Sequence, residues 1–332
     1  MMLNLIIENT DRFMNAVPKA KRKKYGQFFT NVTTAQYMAS LFVFDTTKPL
    51  ISLLDAGART GILSAAVVQK LIDDGYKGHI HITCYETDTL VLSLLEENLN
   101  IIKNNANVSF TVKNENYLTS QSFGVNTFFK DDENIYDYVI GNPPYLMNKE
   151  IPTETKKLLP NVLNSQANLY MFFIWRCLDL LEDNGELIFL VPRDFIKLTS
   201  AIPLNKRLNE EGGFTFWKEF GDQKIFDDAC PNVVIFRWQK GISHKIPIFY
   251  QNGFFTFIEG SKKLSDYFDI YVGAVSGAND IYYSENGNIE LAFSKTKETG
   301  TFIKAIHNNK EKLLPFKEKL LERKATKFTE MN

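Results

Sequence analysis

The chain has 332 residues, and its 38 Lys and Arg against 39 Asp and Glu give a formal net charge of −1 at pH 7. This balance excludes a polycationic nucleic-acid binder, so any basic DNA-binding face has to be local. The three cysteines lie far apart, which argues against a disulfide framework or a zinc site and favours a reducing cytoplasm. No apolar run reaches membrane-spanning length and no signal-peptide pattern is present, so we expect a cytoplasmic protein without a metal or a membrane partner.

The N-terminal segments predict a helix followed by a motif-bearing loop. Residues 1–24 have the pattern of a basic helical arm, whose end at Lys19–Lys24 is either a solvated face or a contact to DNA phosphates. The sequence Tyr-Gly-Gln-Phe-Phe-Thr at 25–30 comes next and precedes a helical run over 35–44. The polar residues at 30–34 can cap that helix.

Alternating strand and helix patterns then predict an α/β fold with a doubly wound, mostly parallel seven-stranded sheet. The strands are expected at 50–55, 79–85, 108–112, 138–140, 186–191, 214–220 and 233–238, the last two antiparallel, with a turn at 183–185 before the fifth. A hairpin around 251–253 and a lysine-rich helix over 302–328 complete the predicted elements.

The end of the first predicted strand resembles a nucleotide-binding turn. Asp55 is followed by Gly57 and Gly61 and then by a helix, and glycines there let the backbone approach a ligand closely. Glu86 ends the second strand, at the place where a ribose diol is commonly held.

The fourth predicted strand ends at Gly141 and continues as Asn142-Pro143-Pro144-Tyr145. Prolines cannot continue a central strand, so this loop is rigid and projects from the carboxyl end of the sheet. The Asn142 side-chain oxygen and the Pro143 carbonyl can accept both hydrogens of an aromatic amino group and so favour its pyramidal transition state. Tyr145 can stack on the ring. The alternative interpretation is a proline-rich turn after a strand.

In this order, the motifs resemble the gamma class of amino-methyltransferases, which methylate adenine in DNA in restriction–modification systems. The resemblance spans about residues 20–240 and implies the class I fold that uses S-adenosylmethionine (SAM) as cofactor. It implies a SAM site formed by Phe28, Thr30, Asp55, Gly57, Gly61, Glu86 and Asn116. It implies that Asn142, Pro143, Pro144, Tyr145 and Phe226 hold an adenine flipped out of double-stranded DNA.

Three positions depart from the family pattern. Arg59 stands where the family usually has glycine, and a side chain there can crowd the cofactor or strain the turn. Asn116 replaces the usual acidic residue, and Asn31 replaces a proline.

Two alternatives stay open at this point. Related loops occur in enzymes that methylate a glutamine amide in release factors and in RNA guanine methyltransferases. Arg59 also suits a SAM-fold protein that binds DNA or a partner with little catalysis.

We expect a catalytic domain over residues 1–260 and a partial target-recognition region over 261–332. The rest of the recognition surface is expected in a missing C-terminal domain or in a recognition subunit. The isolated chain should then bind DNA weakly and with a strong salt dependence.

Overall fold

The computed structural model describes residues 2–16, 30–118, 120, 136–146, 151, 153, 167–220, 232–259, 279–291, 296–307 and 309–321. The chain divides into two compact units, Met1–Glu259 and Gly260–Asn332. Within the described ranges, no helix is both long and apolar enough to cross a membrane.

The first unit is built on a seven-stranded sheet with the order β3-β2-β1-β4-β5-β7-β6. Its strands are β1 (Leu50–Ala56), β2 (His79–Tyr85), β3 (Val108–Lys113), β4 (Tyr136–Gly141), β5 (Leu181–Pro192), β6 (Gly212–Glu219) and β7 (Val233–Lys240). The first five strands are parallel, whereas β7 runs antiparallel to both β5 and β6. This arrangement confirms the predicted α/β fold and its antiparallel last pair.

Helices cover both faces of this sheet. They are α1 (Met2–Ala16), α2 (Val32–Ser40), α3 (Ile62–Asp73), α4 (Thr89–Asn105), α5 (Leu169–Leu180) and α6 (Ile202–Glu210), with 3-10 turns at Arg193–Lys197 and Thr199–Ala201. Successive strand residues point to opposite faces of a sheet. Leu53 therefore packs in the apolar cluster with α1 to α4, and its neighbour Leu54 packs in the cluster with α5 and α6.

The N-terminal helix is packed against the rest of the first unit. Met2, Leu3 and Ile6 of α1 are buried in the cluster that includes α3 and α4, and Asn9 donates a hydrogen bond to Asn98 of α4. The predicted basic arm therefore begins with a helix that packs against α3 and α4 on one face of the sheet. Its basic end at residues 19–24 lies outside the described residues.

Two local predictions have different outcomes. The fifth strand was expected to start at 186, which is wrong, because β5 begins at Leu181. The stretch expected to turn at 183–185 is an irregularity within β5, where the pairing with β4 passes from Leu181 to Glu186 and Asn184 has a φ of 65°. The hairpin is confirmed: β8 (Phe249–Gln251) pairs with β9 (Phe254–Thr256). Positive φ values of 53° at Asn252 and 90° at Gly253 are those that a tight two-residue turn requires.

The second unit contains short elements. They are α7 (Asn279–Tyr282), β10 (Ile289–Leu291), α8 (Thr296–Thr299), β11 (Ile303–Ala305), α9 (Lys310–Leu313), a 3-10 turn (Leu314–Phe316) and α10 (Lys317–Leu321). The strands β10 and β11 form an antiparallel pair. The expected helix over 302–328 is therefore wrong at its start, where backbone groups pair in a β ladder.

Candidate active site

Three buried polar side chains lie at the carboxyl edge of the sheet. Asp55 comes from the end of β1, Glu86 follows β2, and Asn142 follows β4. These strands are neighbours and parallel, so their carboxyl ends meet at one edge. The exposed fraction is 0% for Asp55, 6% for Glu86 and 3% for Asn142. Buried polar groups of this kind need hydrogen-bond partners. Phe28 and Phe226 were also predicted in the site but lie outside the described residues.

The glycine-containing loop after β1 directs its N–H groups at the end of β2. The amides of Gly57 and Ala58 both donate to the Tyr85 carbonyl at 3.0 Å, and the amide of Arg59 donates to Glu86 Oε2 at 2.9 Å. Gly57 has a φ of 98°, a conformation that glycine adopts without a steric penalty. Because these three donors are already engaged, the loop does not form a phosphate cradle of the kind built from free backbone amides.

Asp55 combines deep burial with an incompletely satisfied carboxyl group. Its Oδ2 accepts a hydrogen bond from Ser64 Oγ at 2.7 Å, while Oδ1 has no hydrogen-bond partner among the described residues. Burial raises the pKa of Asp55 to about 7, although the Ser64 hydrogen bonds and the charge of Arg59 oppose that rise. A buried carboxyl oxygen without a partner fits a ligand that supplies a positively charged hydrogen-bond donor.

Ser64 is a site residue that the sequence analysis missed. It lies in the first turn of α3, directly after the glycine loop, and is fully buried. The available signal was a lone hydroxyl among the apolar residues that begin this helix. Short polar residues in a first turn often bond to the segment that precedes the helix.

Glu86 is held in one orientation by three backbone amides. Its Oε1 accepts from the amides of Thr87 and Asp88, both at 2.8 Å, and its Oε2 accepts from Arg59. Hydrogen bonds to a carboxylate are charge-assisted and strong, so the side chain is preorganised. Because each carboxylate oxygen has two acceptor positions, Oε2 can still accept a further hydrogen bond, as a ribose hydroxyl requires.

Two hydrogen bonds set the orientation of the Asn142 amide. Asn142 Nδ2 donates to Thr30 Oγ1 at 3.1 Å, and the Tyr145 hydroxyl lies 2.7 Å from Asn142 Oδ1 as a donor. The same hydroxyl is 2.9 Å from the Leu190 carbonyl at the end of β5, so its single hydrogen is shared between two acceptors. Thr30, predicted in the cofactor site, is thus found beside the loop of residues 142–145.

The start of the loop of residues 142–145 depends on close packing. A Cβ atom added at Gly141 would lie 2.7 Å from the Phe189 ring, so glycine is needed where the loop leaves β4. Pro143 is buried, Pro144 and Tyr145 are half-buried, and the Tyr145 ring meets Tyr170 edge-on at a centroid distance of 6.1 Å. The aromatic ring and the two prolines therefore have defined positions.

Arg59 extends from the glycine-containing loop after β1 to the loop of residues 142–145. Its backbone adopts a φ of 52°, in the left-handed region, and 8% of the residue is exposed. Its Nη2 lies 3.4 Å from the Asn142 main-chain carbonyl oxygen. Burial lowers the pKa of Arg59, and the nearby groups of Glu86, Tyr145 and Asp55 oppose that change. The residue that departs from the family pattern therefore connects two parts of the site.

Asn116 lies in a loop whose position depends on a buried arginine. Its Oδ1 accepts from the Leu118 amide at 3.0 Å. Arg176 of α5 donates to Ser120 Oγ at 2.6 Å, and its guanidinium carbon lies 4.4 Å from the centroid of the Tyr117 ring. The sequence analysis missed Arg176, although a basic residue in an otherwise apolar stretch of helix was a usable signal. The cofactor contact predicted for Asn116 stays a prediction.

A comparison with protein families identifies the chain. Residues 19–226, more than half of its length, match the model of a protein family described as Eco57I restriction-modification methylase. The chain belongs to this family. Membership confirms the resemblance that the ordered motifs indicated, and a methylase family on this fold implies SAM as the methyl donor.

Individual relatives support the family assignment. The type II methyltransferase M.PstI of Providencia stuartii is 30% identical over 247 residues, which cover 72% of this chain and 48% of that protein. The type II methyltransferase M.BsuBI of Bacillus subtilis is 30% identical over 198 residues, which cover 57% and 38%. The chain thus spans less than half the length of these relatives.

A solved structure supports the fold. A modification subunit attributed to a type I restriction enzyme of Vibrio vulnificus YJ016 is similar with a TM-score of 0.57 and 16% identity, over 95% of this chain and 65% of that one. At this identity the similarity concerns the fold alone, and it agrees with the predicted class I methyltransferase architecture.

Proposed function

We propose that the protein transfers a methyl group from SAM to the exocyclic amino group of adenine in double-stranded DNA, as the methylase of a restriction–modification system. Family membership supports DNA methylation. The observation that carries the choice of an amino group is the orientation of the Asn142 amide at the carboxyl edge of the sheet, where Tyr145 donates to its Oδ1 and Thr30 accepts from its Nδ2. The resemblance of the ordered motifs to the gamma class, which methylates adenine, supports adenine over cytosine.

On this proposal, the loop of residues 142–145 is the catalytic loop and works by accepting hydrogen bonds. Asn142 Oδ1 and the Pro143 carbonyl accept the two hydrogens of the target amino group and favour its pyramidal form, in which the nitrogen lone pair is available. The Thr30 and Tyr145 contacts hold Asn142 ready for this role. Preorganised acceptors need no rearrangement during the reaction, and such groups are worth roughly 10²–10³ in rate.

Attack by a cysteine on the target base receives no support from the described residues. Cys84 and Cys177 are both fully buried. Burial raises the pKa of the Cys177 thiol to about 12 and that of Cys84 well above its ordinary value, so neither supplies a thiolate near neutral pH. Direct transfer to nitrogen is therefore the favoured chemistry.

The cofactor site fits SAM better than a phosphate-bearing nucleotide. SAM, when bound, supplies an electrophilic methyl group on its sulfonium sulfur. Asp55 would accept a hydrogen bond from a cationic group, and Glu86 would accept hydrogen bonds from the ribose hydroxyls. The amides of residues 57–59 are engaged with the end of β2, which disfavours a phosphate ligand. Phe28, Gly57, Gly61 and Asn116 complete the proposed set.

Target capture and DNA contact complete the proposal. Tyr145 would stack on a flipped adenine, with Phe226 on its other side, and residues 261–332 would form part of the target-recognition region. A recognition subunit is a further proposed partner. Because the proposed substrate is cellular DNA, the proposed location is the cytoplasm.

The decisive experiment supplies tritium-labelled SAM with mixed plasmid DNA, with RNA and with release factor in separate reactions. Label in DNA, recovered as N6-methyladenine and mapped by sequencing, is the expected result. Label in cytosine would contradict the adenine assignment. Label only in RNA or release factor would contradict the proposed substrate class.

An Asn142→Ala variant tests the role of the loop in the same assay. Turnover should fall by roughly 10²–10³-fold or more, because one acceptor for the developing charge is lost. Calorimetric SAM binding should stay close to that of the native protein. Asn100→Ala is the matched control, since Asn100 is an exposed residue of α4. Near-native turnover of Asn142→Ala would refute the assignment.

A further inference from the structure

Arg59 brings a cation into a site that already has two buried acidic residues. Arg59, Glu86 and Asp55 are each less than 9% exposed, and the Arg59 guanidinium is close enough to both acids to influence them electrostatically. A guanidinium remains protonated in proteins. In a poorly solvated site, one added charge strongly changes the affinity for a charged ligand.

The Arg59 guanidinium lies beside the loop that holds the two proposed acceptors. Arg59 Nη2 contacts the carbonyl oxygen of the Asn142–Pro143 peptide, and Pro143 supplies the second proposed acceptor for the target amino group. A methyl group can be transferred to that amino group only from a sulfur that comes close to the same peptide. On the proposed function, the sulfur of the bound cofactor would therefore lie near the guanidinium of Arg59.

We propose that Arg59 sets the ratio of the affinities for SAM and for its demethylated product, S-adenosylhomocysteine (SAH). This inference rests on the proposed function. The two molecules share the adenosine, ammonium and carboxylate groups, so contacts to those groups contribute equally and cancel in the ratio. They differ by one methyl group and by the positive charge on sulfur. The Arg59 guanidinium repels that charge in SAM and has no equivalent effect on the neutral thioether of SAH.

A consequence for regulation follows. A site with glycine at this position would have the two acidic residues without the opposing cation and would prefer SAM more strongly. With Arg59, SAH competes more effectively, so the methylation rate responds to the relative amounts of product and methyl donor. The departure from the family pattern thus acts on product inhibition rather than abolishing cofactor binding.

The test is calorimetric titration of SAM and of SAH into the native protein and three variants. Arg59→Met removes the charge and keeps an unbranched side chain, and it should raise the SAM-to-SAH affinity ratio by about tenfold. Arg59→Lys keeps the charge and should leave the ratio near the native value. Lys70→Met removes a half-buried cation that pairs with Asp74 on the helix surface, and the ratio should not change.

The outcomes separate this inference from the proposed function. If the native protein binds neither SAM nor SAH, both are overturned. If Arg59→Met weakens SAM and SAH equally, the proposed function stands, but Arg59 acts through the shared carboxylate or through packing, and the inference is overturned. A raised ratio in Arg59→Lys would also overturn it. Thermal melting checks that each variant folds. If Arg59→Met does not fold, it is replaced by Arg59→Gln, which removes the charge but keeps a donor for the Asn142 carbonyl.

Discussion

Asp55 provides a direct test of the cofactor site, because its ionisation and its ligand should be coupled. The residue is fully buried, and its Oδ1 has no hydrogen-bond partner among the described residues. Burial raises its pKa to about 7 from an ordinary value of 3.8. A cationic ligand group stabilises the ionised carboxylate, so SAM should bind the ionised form more tightly and release a proton from Asp55 on binding.

The size of the effect follows from the raised pKa. With a pKa of about 7, roughly 3% of Asp55 is ionised at pH 5.5 and about half at pH 7.0. If only the ionised form binds, the SAM association constant rises by about fifteenfold between these pH values. The same shift has a second consequence for the ligand-free protein. The stability that protonated Asp55 contributes is present below pH 3.8 and is lost as the pH rises through about 7.

The assay is calorimetric titration of SAM between pH 5.5 and 7.0, in two buffers with different ionisation enthalpies. The difference between buffers gives the number of protons released, which should approach one at the acidic end. Asp55→Asn should bind weakly and without this slope. Glu186→Gln is the matched control, because burial also raises the pKa of Glu186 to about 7, but its carboxylate pairs with Arg237 and accepts from the Val43 amide.

Two results would refute this reasoning. An affinity of the native protein that does not change with pH would show that Asp55 is not coupled to the ligand. A slope that persists in Asp55→Asn would show that another group, including the ligand itself, releases the proton.

Three further substitutions test other parts of the structure. Glu86→Ala should weaken SAM binding by roughly 1.5–3 kcal/mol, because charge-assisted hydrogen bonds are lost; unchanged calorimetric affinity would place the ribose elsewhere. Thr30→Val removes the acceptor for Asn142 Nδ2. It should slow single-turnover methylation by roughly tenfold without changing SAM affinity, and a change in affinity alone would return Thr30 to the cofactor site. Asp137→Ala removes the acceptor of the Ser52 amide and the partner of Lys48. It should lower the free energy of unfolding in urea by roughly 1–3 kcal/mol, and a stability equal to that of the native protein would contradict this.

The sequence predicted the sheet well because its strands have clear ends. Apolar runs stop at Asp55, at Glu86 and at the loop that begins with Asn142, and each of these signals corresponds to a strand end in the structure. The rule that parallel strands meet at their carboxyl ends then placed the three residues together without any knowledge of distances. The order of motifs along the chain added the family.

Contacts between distant segments were beyond the sequence patterns. Thr30 and Asn142 are 112 residues apart, and no periodicity indicates that their side chains bond. Residues 1–24 were interpreted as an arm because their length and the basic run at 19–24 were visible, whereas the packing of α1 against α3 and α4 was not. The pairing of Leu181 with Tyr136 ahead of the stretch expected to turn at 183–185 was also not visible, so the start of β5 was predicted too late.

Arg59 shows why a departure from a motif is a poor guide to loss of function. The loop has to direct three successive amides at the end of β2, and it meets this demand with left-handed or similar φ values at Gly57 and Arg59. The family glycine therefore encodes a backbone conformation and not an empty space for a ligand. A non-glycine residue pays about 1–2 kcal/mol for that conformation. Here the contact of the guanidinium with the Asn142 carbonyl and its attraction to Glu86 offset this strain. An arginine at this position therefore allows the loop after β1 to keep its hydrogen bonds to the end of β2.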